Sequence, residues 1–205
     1  MSRSYRKKYK CKSGKAKYRP DPNAGQNVRP KPGLTRLTVR ARPGNPSQGL
    51  LVAGHSVFPC ALGRGGISAN KREGDGATPL ASMRILSGYF RGDHVAARRT
   101  RLGMTPIHAE LGWCEVPDDR NYNRPVKIPY GASHETMRRP DRLYDYCLVL
   151  DWNVSPRRRG RGSAIFFHLA RPGFTPTQGC VAVTAKVMAR LLPYLSDRTV
   201  LQVVR

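Results

Sequence analysis

From residue 35 onward the chain reads as short alternating or apolar segments separated by turns. "TRLTVRA" (35–41) sets Leu37, Val39 and Ala41 against Thr and Arg, the two-residue period of a half-buried strand, and its polar positions suggest an edge strand. "GLLVAGHSVFPCALG" (49–63) supplies an apolar run, then Val57 and Phe58 before a turn. "SMRILSGYF" (82–90) predicts another strand, and "MTPIHAELGWCEVPDDRNYNRP" (104–125) one or two short ones broken by turns. "DRLYDYCLVLDWN" (141–153) is the strongest central-strand candidate before position 160, "SAIFFHLA" (163–170) is a second, and "RTVLQVV" (198–204) closes the chain as a strand. Only "TAKVMARLLPYL" (184–195) has a helical period: Thr184 can cap it, Val187, Leu191 and Leu195 form one stripe, and Pro193 strains its last turn. The pattern predicts one mainly β domain with a single late helix.

Composition sharpens this in two places. Gly 20 and Pro 17 in 205 residues favour frequent turns over long helices. No apolar run approaches the roughly 18 residues that span a bilayer. Lys+Arg 37 against Asp+Glu 13 gives a net charge of +24, a field that attracts anionic partners: nucleic acid, anionic lipid or a polyanionic cell-wall matrix. Residues 1–32 hold eleven Lys/Arg and one Asp, have no apolar period and lack a hydrophobic signal core. They are expected to be a disordered basic tail, with the folded domain at 33–205.

Several candidate features fall away. The Gly-rich "GRGG" and "GDGATP" lack the spacing that cradles a phosphate and read as turns. The Arg-rich "SPRRRGRG" (155–162) has no interleaved aromatic residues and reads as a solvated loop or the wall of a groove for an anionic substrate. His55, His94, His108 and His134 are isolated, and no cysteine or histidine spacing suits a metal, so neither metal nor cofactor is expected. Of Cys11, Cys60, Cys114, Cys147 and Cys180, the odd count leaves one thiol free; Cys147 has the setting of a small core residue, while Cys60 and Cys114 are either packed or bridged.

One stretch carries chemistry. In "SAIFFHLARPGFTPTQGCVAV", alternation puts Ala164, Phe166 and His168 on one face and Ile165, Phe167 and Leu169 on the other. Pro172-Gly173 turns the chain, and a hairpin would return Cys180 beside His168. An imidazole there can take the thiol proton, giving a thiolate–imidazolium pair, and later protonate a leaving amine. Gly179 permits a backbone closed to other residues, and the N–H groups of Gln178, Gly179 and Cys180 can form an oxyanion hole. A packed cysteine with a satisfied histidine nearby fits the spacing equally well.

The order of motifs resembles the L,D-transpeptidase (YkuD-type) catalytic domain family. "FFHLARPGFTPTQGCVAV" is similar to its signature of a strand-borne His followed by [ST]-x-G-C, "KREGDGATP" resembles a segment near the start of its domain, and "DRLYDYCLVLDWN" with "GRGSAIFFH" resembles its central strands. The likeness runs from about residue 35 to the C-terminus. It implies a β-sandwich-like domain and a cell-envelope, periplasmic enzyme acting on peptidoglycan stem peptides. In it Cys180 is the nucleophile, and His168 is the base, oriented by a backbone carbonyl. Thr177 and Arg171 are the expected substrate contacts. The implied reaction is acyl transfer through a Cys thioester, with hydrolysis on the same scaffold as the alternative; a basic nucleic-acid-binding protein ranks below both. The chain departs from the common pattern at Leu169, where that pattern has Gly, at Gln178, where it often has His, and at Ala182, where it often has Arg. Gln178 cannot share acid–base work, so that role falls to His168 alone.

Overall fold

In the computed structural model, which describes residues 33–205, fourteen strands and one helix alternate with long loops. The strands are β1 (Arg36–Arg42), β2 (Asn45–Ala53), β3 (Ser56–Ala61), β4 (Ile67–Ser68), β5 (Thr78–Pro79), β6 (Ser82–Phe90), β7 (Met104–Pro106), β8 (Leu111–Cys114), β9 (Pro125–Lys127), β10 (His134–Thr136), β11 (Tyr146–Leu150), β12 (Phe166–Leu169), β13 (Val181–Val183) and β14 (Val200–Val204). Helix α1 (Ala185–Leu191) lies between β13 and β14. The tail expected at 1–32, with Cys11, lies outside the described residues.

The main sheet runs β11-β12-β13-β3-β2-β1-β14-β6-β7, and β11 also pairs with β6, so the sheet returns on itself around a core. This is the mainly β, sandwich-like architecture that the strand pattern and the resemblance led us to expect. Leu37, Val39, Leu51, Met83, Ile85, Leu201 and Val203 fill that core from alternate positions. Each such side chain removed from water contributes roughly 1.5–3 kcal/mol. The edge position expected for β1 is wrong: it lies between β2 and β14, parallel to the latter. Its exposed arginines mark a sheet face open to solvent, and a sheet face is not a sheet edge.

β11 and β12 are buried on both faces. Tyr146, Leu148 and Leu150 enter the main core with Ile165, Phe167 and Leu169, while Cys147, Val149 and Phe166 join a second cluster with Trp113, Met137, Tyr144 and Cys180. Two-sided burial is why "YCLVL" is continuously apolar. The small sheet β10-β8-β9 brings Trp113 to the second cluster, where its ring meets Phe166 edge to face at 5.1 Å.

At the other end Thr184 caps α1 as expected, its hydroxyl accepting from Val187 N–H at 3.3 Å. The helix gives way to a 3-10 turn over Leu192–Tyr194, because Pro193 cannot donate to the α ladder. Cys60, Cys114, Cys147 and Cys180 are all buried and free, so no bridge joins Cys60 to Cys114.

The connection from His168 to Cys180 differs from the expected hairpin. β12 and β13 run parallel, with Phe167 opposite Val181 and His168 opposite Ala182. The Pro172-Gly173 turn does not reverse the chain onto its own edge. Instead the loop crosses to residues 62–64, where Thr177 N–H donates to the Leu62 carbonyl at 2.8 Å and Arg64 N–H to the Thr177 carbonyl at 2.9 Å. β13 therefore starts from the same end as β12.

Candidate active site

Cys180 stands two positions before Ala182, the register partner of His168, so the thiol and imidazole share one face of adjacent strands. Both line a cleft of about 500 Å³, and both are nearly closed off, at 7% and 5% exposure. His168 Nδ1 lies 2.8 Å from the Leu169 carbonyl. A carbonyl only accepts, so Nδ1 carries the hydrogen and Nε2 is left as the basic nitrogen. Burial pushes the imidazole down to about 4, against the stabilising pull of that hydrogen bond. The Tyr144 ring meets the imidazole edge to face at 5.2 Å, and Arg139 lies over the Tyr144 ring at 5.1 Å.

The thiol sits between two backbone groups. Phe166 N–H donates to Sγ at 3.3 Å, and the S–H donates to the Ala164 carbonyl at 3.3 Å. Burial pushes the thiol up to about 12, with the Phe166 hydrogen bond pulling the other way. Burial thus favours the neutral thiol and the neutral imidazole over a thiolate–imidazolium pair.

The turn ahead of Cys180 is built from inside. Gly179 has φ 131, and a Cβ there would meet the Ala77 carbonyl at 2.8 Å. Only glycine fits. Thr177 Oγ1 donates to the Cys180 carbonyl at 2.7 Å and accepts from Gly179 N–H at 3.2 Å. These bonds bear on two expected roles. The Gly179 N–H is committed to the turn, which leaves Gln178 and Cys180 as the oxyanion-hole candidates. Thr177 lines the cleft, but its hydroxyl shapes the loop. Arg171 also lines the cleft and is ion-paired with Asp141 at 3.1 Å.

The "KREGDGATP" segment packs behind this turn. Lys71 is 2% exposed and paired with Asp75 at 2.5 Å, and its Nζ also donates to the Arg72 carbonyl at 2.6 Å. Asp75 in turn accepts from the N–H groups of Arg72 and Ala77. This wraps a short loop around a buried cation and presents the Ala77 carbonyl against Gly179. Thr78 Oγ1 accepts from Gly63 N–H at 2.8 Å, tying the same loop to the segment that Thr177 crosses. None of the Arg-rich residues 155–162 lines the cleft. That loop is pinned elsewhere, through Arg161 to Asn70 and Arg159 to Asp118.

A family model described as the YkuD L,D-transpeptidase catalytic domain matches residues 45–204. The chain belongs to that family. Comparisons with curated proteins and with solved structures give no match. Membership in this L,D-transpeptidase family supports an enzyme of the cell envelope acting on peptidoglycan. Among the described residues, no helix is long and apolar enough to cross a membrane.

The sequence did not point to Tyr144, Arg139 or Glu135. Glu135 and Asp141 clamp Arg139 at 2.5 and 2.6 Å, and the clamped guanidinium stacks on the ring that flanks His168. The Asp141 hydrogen bond holds Arg139 above its ordinary value, and the Arg139 hydrogen bond holds Asp141 well below the usual carboxylate range. The repeated acidic and basic pairs in "SHETMRRPDRLYD" were the only signal for this cluster, and pairing across a loop has no fixed period.

Proposed function

We propose that this member of the YkuD family is a cysteine-dependent L,D-transpeptidase acting on peptidoglycan stem peptides. Cys180 attacks the peptide carbonyl at the L-centre of the third-position diamino acid, and its proton passes to His168 Nε2. The carbonyl oxygen becomes an oxyanion received by the N–H groups of Gln178 and Cys180. As the C–N bond breaks, His168 returns the proton to the departing D-alanine amine, leaving a thioester on Cys180. An amine from a second stem then attacks the thioester, His168 takes its proton, and the thiol is regenerated.

The observation that carries this reading is the imidazole tautomer: the Leu169 carbonyl fixes hydrogen on Nδ1 and leaves Nε2 basic, on the face and in the cleft that hold Cys180. Because burial disfavours charge on both groups, proton transfer accompanies attack: substrate in the cleft brings the electrophile to the sulfur and its carbonyl oxygen to the oxyanion donors. Hydrolysis is the second reading, favoured by Gln178 and Ala182 lining the cleft where the common pattern offers an ionisable side chain. A nucleic-acid-binding protein would have no use for the cleft.

We further place the enzyme in the periplasm, bound to the anionic wall matrix by its net charge of +24, with residues 1–32 as a basic tail outside the catalytic domain 33–205. Incubation with a purified stem tetrapeptide, with and without an amine acceptor, tests the chemistry. Loss of D-alanine, a transient acyl adduct on Cys180 by mass spectrometry, and a cross-linked product in the presence of amine are expected. Full turnover by Cys180→Ala would overturn the assignment, and product formation that ignores the amine would make the enzyme a hydrolase.

A further inference from the structure

We propose that Asn123 is a positioning residue for the Cys180 thiol and acts through the backbone of Ala164; the proposal rests on the reading of Cys180 as nucleophile. Asn123 is 1% exposed and lies in the loop before β9, remote in sequence from the catalytic strands and not among the residues lining the cleft. Its Oδ1 accepts from Ala164 N–H at 3.0 Å and from Trp113 Nε1–H at 2.9 Å, while its Nδ2 donates to the Trp152 carbonyl at 3.0 Å. Two donors on one atom and a carbonyl on the other permit a single orientation of the amide. Its own N–H donates to the Cys114 carbonyl at 2.9 Å, which fastens it to β8.

What Asn123 holds is unusual. Ala164 has φ 50, a left-handed conformation that disfavours any residue with a Cβ. Such a conformation persists only where surrounding contacts impose it, and such positions cluster at functional sites. The contact imposing it on the amide side is the Asn123 hydrogen bond. On the carbonyl side, the same residue receives the Cys180 S–H at 3.3 Å. Two residues on, Phe166 N–H donates to Sγ from β12. The thiol is thus kept in one rotamer between a donor and an acceptor. The acceptor stays in place because Asn123 keeps Ala164 in a conformation it would otherwise leave. The small sheet carrying Trp113 and Cys114 thereby reaches the nucleophile through a residue that does not line the cleft.

The test uses Asn123→Gly in the full chain, because Asn123 itself has φ 56 and glycine removes the side chain without adding strain there. Cys180 alkylation by iodoacetamide is followed across pH by peptide mass mapping, alongside turnover of the stem tetrapeptide. Loss of the lock frees the Ala164 carbonyl, which favours the protonated thiol, so the alkylation midpoint is expected to move down by about one pH unit. Turnover is expected to fall about tenfold in kcat with KM within about twofold, since the sulfur is no longer aimed. The double variant Asn123→Gly with Ala164→Gly is expected to recover most of both, because glycine adopts the left-handed conformation unaided. A general scaffolding role through Trp113 and Trp152 would not be rescued at Ala164. A folded Asn123→Gly with an unchanged midpoint and kcat overturns the proposal, as does a double variant no better than the single. If the single variant does not fold, a double variant that folds supports the lock and one that also fails overturns it. The alkylation midpoint reads the lock even if Cys180→Ala retains turnover, so failure of the functional reading shows itself separately.

Discussion

Two buried thiols in two parts of the molecule are both pushed up by burial and have different prospects. Cys60 on β3 lies in the main core, and burial pushes it up to about 12 against a hydrogen bond from the Gly49 backbone. Cys180 is pushed to about the same value by the same cause. Desolvation alone therefore does not mark a nucleophile. The difference lies around them. The two strands that pair with β3 carry no non-glycine residue of positive φ, whereas among the described residues all such positions fall between Asn123 and Phe174, and one of them, Ala164, lines the cleft. That stretch also holds buried Asn123, Asp145, Asn153, Ser163 and His168. Strain and buried polarity are tolerated where the second cluster and its loops surround the thiol, and the main core supplies the rigidity that makes this possible.

The sharpest way to break the comparison is to remove each thiol in turn. Cys180→Ala is expected to lower turnover of the stem peptide by about 10⁴-fold or more, with no acyl adduct by mass spectrometry. Cys60→Ala is expected to leave kcat within about twofold and cost about 1 kcal/mol in chemical denaturation, the expense of a small cavity. Equal losses from both would erase the distinction. Next in size is Gly179→Ala: its Cβ would press on the Ala77 carbonyl at a φ of 131, so activity should drop about a hundredfold and stability by about 2–3 kcal/mol. Retention of wild-type activity would show that the turn is not what aims Cys180.

A smaller effect follows from His168. In the unfolded chain the imidazole protonates below about 6.5, whereas in the folded protein burial delays protonation to about 4. The unfolded state therefore takes up the proton first. The stabilisation is complete above about pH 6.5 and is lost as pH falls from there to about 4, amounting to about 3 kcal/mol. Denaturation of wild type and His168→Gln at a series of pH values should show this extra fall only in the wild type. The smallest effect is that of Arg171→Ala. The half-exposed ion pair with Asp141 contributes less than about 1 kcal/mol, so only the KM of the stem peptide should change, by a few-fold. A changed kcat would give Arg171 a part in the chemistry.

Much of the site was legible because it is local. His168 and Cys180 are separated by a short segment, the alternation of "SAIFFHLA" assigns His168 its face, and Gly179 directly before the cysteine signals a special backbone. The hairpin inferred between them was wrong because Pro-Gly marks a turn but not what the chain meets after it; contacts with Leu62 and Arg64 decide that. The intraloop bonds of the Thr177 hydroxyl had no signal in the sequence, because they depend on how the turn before Cys180 folds. β1 was misplaced at an edge because an alternating strand shows which face is buried and not how many neighbours it has.

The sequence by itself determined the strand segments, the late helix with its Thr184 cap and Pro193 ending, and the basic charge, and it singled out one histidine and one cysteine as candidates. These are properties of neighbours along the chain, where side-chain period and backbone restriction act directly. Tertiary structure alone decided that β12 and β13 are parallel, that Lys71 is a buried prop for the Gly179 turn, that Nε2 is the basic nitrogen, and that Asn123 reaches Ala164. Each depends on hydrogen bonds between segments distant in sequence, whose partners are chosen by burial and geometry once the core has closed.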